Sequence, residues 1–88
     1  LSQSFAEQVQ QAFTNLKNAL EYVDASIFDI AVLRILIVNH TPKKHQCLIE
    51  HIHSLWGQHD FPACTLIPVP NLALPGMQIE IEATAYCI

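Results

Sequence analysis

The sequence predicts a single α+β domain in which two helices lie on one face of a mixed sheet. Three observations carry this. An apolar stripe recurs at steps of three and four near the start, nine consecutive residues rich in β-branched side chains follow it, and strict alternation marks the end of the chain. The resulting order is helix, strand, helix, strand, strand.

The first helix is predicted from Ser4-Phe5-Ala6-Glu7, which reads as a capping box: Ser4 accepts from the third amide and Glu7 reaches back to the cap. Phe5, Val9, Phe13, Leu16, Leu20 and Val23 form its core stripe, with Gln8, Gln11, Lys17 and Asn18 largely outside it. The helix should stop near Asp24, a residue type that tolerates the left-handed conformation. Ile30–Val38 is then a strand interrupted only by Arg34. A strand apolar on both faces needs cover on both, so helices account for one side and a second layer or a neighbouring subunit for the other. Arg34 shares a face with Ile30, Val32, Leu36 and Val38 on this reading, and its guanidinium needs a carboxylate or carbonyl partner there.

Thr41-Pro42 is an N-cap followed by proline at the first helical position, and Gly57 closes that second helix. Leu48, Ile49, Ile52, Leu55 and Trp56 make its apolar face. Cys64 to Val69 reads as a strand whose pairing is limited by Pro68 and Pro70. Leu74-Pro75-Gly76-Met77 has the signature of a type II turn. From Met77 the apolar Met77, Ile79, Ile81, Ala83 and Ala85 alternate with Gln78, Glu80, Glu82 and Thr84, which predicts a half-buried strand with two carboxylates on its polar side.

At 88 residues the chain allows one domain, spanning 1–88, with a marginal core. Hydrophobic residues make up 51% and charged residues 14%, so part of the apolar surface is expected to meet another subunit. Lys17, Arg34, Lys43 and Lys44 face eight acids, for a net charge of −4, which disfavours nucleic acid as a partner. No apolar run reaches the ~20 residues of a membrane span, so no membrane partner is expected. Cys47, Cys64 and Cys87 match no metal-knuckle spacing and read as free thiols in a reducing, cytoplasmic setting.

The run from Phe61-Pro62-Ala63 through Leu74-Pro75-Gly76 to Ile79-Glu80-Ile81-Glu82-Ala83, with Asn15-Leu16 and Ala19-Leu20 upstream, resembles the reactive intermediate deaminase family, RidA/YjgF, whose members are also called endoribonuclease L-PSP-like. The resemblance implies a chorismate-mutase-like, RidA-like fold, a homotrimer whose sheets line a central barrel, and small-molecule ligand sites in the clefts between subunits. Family members carry additional N-terminal strands with a tyrosine and a Ser-Gly-Gln segment, which nothing here matches. With Leu1 in first place, the chain is expected to begin partway through a longer protein.

In that family the first glutamate of the Glu-Ile-Glu motif helps position the water that hydrolyses an imine, and the matching residue is Glu80. Glu80 and Glu82 are two residues apart on one strand face, about 7 Å by strand geometry. The family's substrate-gripping arginine follows Pro-Ala, where this chain has Cys64, and an asparagine on its second helix falls at Ile49. A thiol cannot make the two parallel hydrogen bonds of a guanidinium to a carboxylate. The expected site is therefore Glu80 as the catalytic residue with Cys64, Thr65 and Glu82 in contact with the ligand. The activity expected is an imine or enamine deaminase of altered specificity, or a catalytically silent ligand-binding or regulatory protein. Endoribonuclease action is disfavoured by charge.

Cys64 has no sequence-adjacent histidine to ionise it and reads as a small apolar filler rather than a nucleophile. Cys47 and His51 share a helix face, the geometry of half a metal site, without an evident third ligand. His40, His45, His53 and His59 read as surface histidines. Neither a metal nor a cofactor is expected.

Overall fold

A computed structural model describes residues 1–86 and holds the elements in the expected order: α1 (Phe5–Tyr22), a 3-10 turn (Ile27–Asp29), β1 (Ile30–Val38), α2 (Pro42–Trp56), β2 (Ala63–Val69) and β3 (Ile79–Ala85). Cys87, read above as a free thiol, lies outside the described residues. The sheet order is β2-β1-β3, with β1 parallel to β2 and antiparallel to β3. The longest apolar run thus takes the central strand.

The helix ends follow local chemistry. Ser4 Oγ accepts from the Glu7 amide at 3.3 Å. The return half of the expected box is replaced: the Glu7 carboxylate accepts from the Ser2 hydroxyl, and the Ser4 amide donates to Ser2 Oγ at 3.1 Å. At the other end Asp24 has φ 59°, while Ala25 N–H donates to Leu20 O and Asp24 N–H to Glu21 O. These are the two bonds of a Schellman motif, with aspartate in the position glycine usually takes. Val23 consequently leaves the predicted stripe and is exposed. Thr41 Oγ1 accepts from the Lys44 amide, and Gly57 closes α2 at φ 56°. Gly76, at φ 86°, and the bond from Met77 N–H to Leu74 O complete the type II turn.

Val9, Phe13 and Leu20 of α1 and Leu48, Ile52 and Trp56 of α2 form one buried cluster with Leu33, Ile35 and Ile37 of β1 and Ile79 of β3. Both helices therefore cover the same sheet face. The opposite face of β1, with Val32 and Arg34 exposed and Leu36 and Val38 half-buried, is open in the single chain. Ile30 does not share that open face as the sequence reading had it. A register shift between Ile30 and Val32 sets Ile30 opposite Ala85, and it turns inward.

Gln8 is a second correction, because it is buried rather than outside the stripe. Its Nε2 donates to Ser2 O at 2.7 Å and Gly76 O at 2.9 Å, and its Oε1 accepts from the Gln78 amide at 2.8 Å. One side chain thus satisfies the backbone where the Pro-Gly turn enters β3. Gln8→Leu should cost about 1–3 kcal/mol, the penalty of leaving buried polar groups unpaired. Urea denaturation of the two proteins measures the difference, and a loss below a few tenths of that range would show that these bonds add nothing to stability.

Candidate functional site

The open sheet face is where the polar side of β3 meets the centre of the sheet. Arg34 lies opposite Thr65 on β2 and Glu82 on β3, and Leu36 lies opposite Ile67 and Glu80. Facing partners in a sheet point to the same side, so Thr65, Glu80 and Glu82 share this face with Arg34. Arg34 finds a carboxylate partner as its position required: Nη1 is 3.9 Å from Glu82 Oε2. Both side chains are more than half exposed, so the pair contributes at most about 1 kcal/mol in the isolated chain. Glu80, two residues along and beside apolar Leu36 and Ile67, is exposed and carries the unengaged carboxylate of the two. The sequence reading did not single out Ile67, although a period-two count along β2 places it with Thr65.

Cys64 is elsewhere. It lies in register with Leu33, which is fully buried toward the helices, so its side chain is on the helix side of the sheet. Cys64 and Thr65, adjacent in sequence, therefore belong to opposite faces, and Cys64 cannot meet Glu80 within one chain. Although Cys64 is exposed by surface area, partial burial pushes its thiol pKa up, which keeps it protonated at neutral pH. Its exposure does not fit the reading of Cys64 as a small apolar filler.

A shallow hollow of about 50 Å³ touches the Arg34–Glu82 pair, lined with Val32, Ala83 and Thr84. A larger one of about 620 Å³ runs between α1 and the start of β3, and none of the candidate residues lines it. Among the described residues no three His, Cys, Asp or Glu side chains gather as a metal would require. His40 and His45 meet edge to face, with ring centroids 5.6 Å apart, and His59 stacks on Phe28 at 3.8 Å. No helix among the described residues is long and apolar enough to cross a membrane.

Comparison with known proteins bears on this arrangement. The family model described as Endoribonuclease L-PSP matches residues 1–87. Among solved structures, YyfB of the conserved Rid protein family from Yersinia pestis, a protein described as of unknown function, is 39% identical with a TM-score of 0.90. The match covers 97% of this chain and 64% of that one, so the chain spans just under two thirds of that relative's length. A member of the highly conserved YjgF/YER057c/UK114 family from Mycobacterium tuberculosis is 25% identical, with a TM-score of 0.86, over 99% of this chain and 71% of that one. The YjgF gene product of E. coli shares the fold at 24% identity and a TM-score of 0.81, over 93% of this chain and 64% of that one. No curated protein matches the sequence. With the family model matching nearly the whole of this chain and the two-helix, three-strand sheet superposing on Rid and YjgF structures, the chain belongs to the RidA/YjgF family, the endoribonuclease L-PSP family.

Proposed function

We propose that this chain is the subunit of a cytoplasmic homotrimer that binds a small metabolite in clefts between subunits and hydrolyses imines or enamines lacking the usual carboxylate handle. The observation that carries this reading is the opposite orientation of Cys64 and Glu80 on one sheet. A pocket containing both positions needs the helix-side edge of one subunit beside the open face of another. The open face is suited to such contact, because Val32, Leu36, Val38, Ile67 and Val69 leave apolar area there that a single chain does not cover.

Within that cleft Glu80 is the group proposed to orient water, and Thr65 and Glu82 border it. Glu82 also holds Arg34, so its part is to fix the arginine as much as to touch a ligand. Cys64 supports altered specificity, since a protonated thiol offers no grip on a carboxylate. The same residue, together with Ile49, favours a second reading, a catalytically silent binding or regulatory trimer. The low count of cations keeps nucleic acid outside both readings.

Sedimentation or native mass spectrometry of the purified protein should give a trimer, and turnover of 2-iminopropanoate should be weak or absent. Cys64→Arg should raise kcat/KM for that substrate by roughly 10- to 100-fold, the worth of restoring charge-assisted hydrogen bonds. A stable monomer, or wild-type turnover matching arginine-bearing relatives, would refute the proposal. Ligand binding without turnover of any imine or enamine would favour the second reading.

A further inference from the structure

A hollow of about 370 Å³ opens on the helix side of the sheet, between the last turns of α1 and α2 and the segment that leads into β1, away from Glu80 and Glu82. Ala25, Ile27, Phe28 and Leu55 supply its apolar lining, and Lys17 and Glu21 its charged lining. Local bonds hold the apolar part in place. Ala25 N–H donates to Leu20 O at 2.8 Å, Ser26 and Asp29 cap the 3-10 turn reciprocally, and the exposed Phe28 ring stacks on His59 with centroids 3.8 Å apart. His59 is itself tied by Nδ1 at 3.1 Å from Trp56 O.

Lys17 and Glu21 stand one turn apart on α1, with about 5–6 Å between their Cβ atoms. Lysine ahead of glutamate is the weaker order for a pair four residues apart, and the Arg34–Glu82 contact is the only ion pair among the described residues. Two opposite, unneutralised charges thus border one apolar hollow. A small anion placed there would meet Glu21 and a metal cation would meet Lys17, whereas an uncharged apolar ligand would leave both unanswered. A ligand carrying both signs close together on an apolar body satisfies every part of the lining. Volume agrees, since small-molecule sites begin at roughly 300 Å³.

We propose that this hollow binds a free α-amino acid with a branched apolar side chain, its carboxylate on Lys17, its ammonium on Glu21 and its side chain over Ala25, Ile27 and Leu55. The site is independent of the reading given for Glu80, from which the sheet separates it. Burial of the ligand side chain provides most of the affinity, because ion pairs on exposed residues such as Lys17 and Glu21 are each weak. The two charges select among apolar molecules.

L-Leucine is the probe, with 4-methylpentanoate and 3-methylbutylamine as counterparts lacking the ammonium and the carboxylate. In a methyl correlation spectrum L-leucine should shift the Ile27 and Leu55 resonances along a saturable curve and leave Ile67, on the open face, unmoved. Each counterpart should bind roughly fivefold more weakly, the worth of one exposed ion pair. Lys17→Gln and Glu21→Gln, both at exposed positions and so harmless to the fold, should each weaken L-leucine by the same factor. Lys17→Gln should leave 3-methylbutylamine unaffected and Glu21→Gln should leave 4-methylpentanoate unaffected, because each of these ligands lacks the group that the altered residue holds. No saturable shift at Ile27 and Leu55, counterparts that bind as tightly as L-leucine, or variants that weaken all three ligands alike would overturn the proposal.

Discussion

Phe13→Ala is expected to lower stability by about 3–5 kcal/mol, the usual cost of deleting a buried aromatic ring and leaving a cavity. Phe13 is 2% exposed, sits midway along the buried face of α1 and packs edge-on against Trp56 of α2, so one ring joins both helices above the sheet. Whole domains are held by only about 5–15 kcal/mol, and a chain of this length has few other large side chains to compensate. The variant should therefore be largely unfolded, or unfold at a much lower urea midpoint, by circular dichroism. Tyr22→Ala, on the same helix but 93% exposed, should stay within about 0.5 kcal/mol of wild type. If both variants cost the same, the core has been placed wrongly.

What was legible in the sequence was local. Ser4, Asp24, Thr41-Pro42, Gly57 and Pro75-Gly76 each act on the few residues beside them, and each stands where its chemistry pointed. The alternation in β3 was equally readable, because side-chain direction in a strand depends only on parity. The 3-10 turn at Ile27–Asp29 was missed although its signal was present. Ser26 Oγ accepts from the Phe28 amide, and the Asp29 carboxylate accepts from the Ser26 amide at 2.8 Å. That reciprocal pair is the same device sought at Ser4.

Non-local features escaped for a different reason. Gln8 is buried because the Pro-Gly turn, remote in sequence, presents backbone groups that need it. Ile30 faces inward because β1 slips by one residue against β3, and nothing within Ile30–Val38 encodes that slip. The site suffers most from this. Cys64, Thr65, Glu80 and Glu82 were grouped by motif, whereas their faces depend on which strands pair and in what register. Motif proximity placed the residues in one neighbourhood; register divides them between two sides of a sheet.

That division makes assembly the next quantity to perturb, and Leu36→Glu should do so with the largest effect. Leu36 is central on the open face, half-buried in the single chain, and in register with Ile67 and Glu80. A glutamate there stands beside Glu80, and enclosing it between subunits adds the cost of burying an unpaired charge to like-charge repulsion, several kcal/mol together. In the separated subunit the same side chain reaches water, so the fold itself should lose little. The expected result is a protein with wild-type circular dichroism whose mass by sedimentation falls from that of the proposed trimer to that of a monomer, while Leu36→Met, similar in volume and uncharged, keeps the mass of the proposed trimer. Loss of the fold together with the mass would show instead that Leu36 is needed inside its own subunit. An unchanged trimer would mean that the subunits meet through some other surface, and Glu80 and Cys64 would then have no cleft to share.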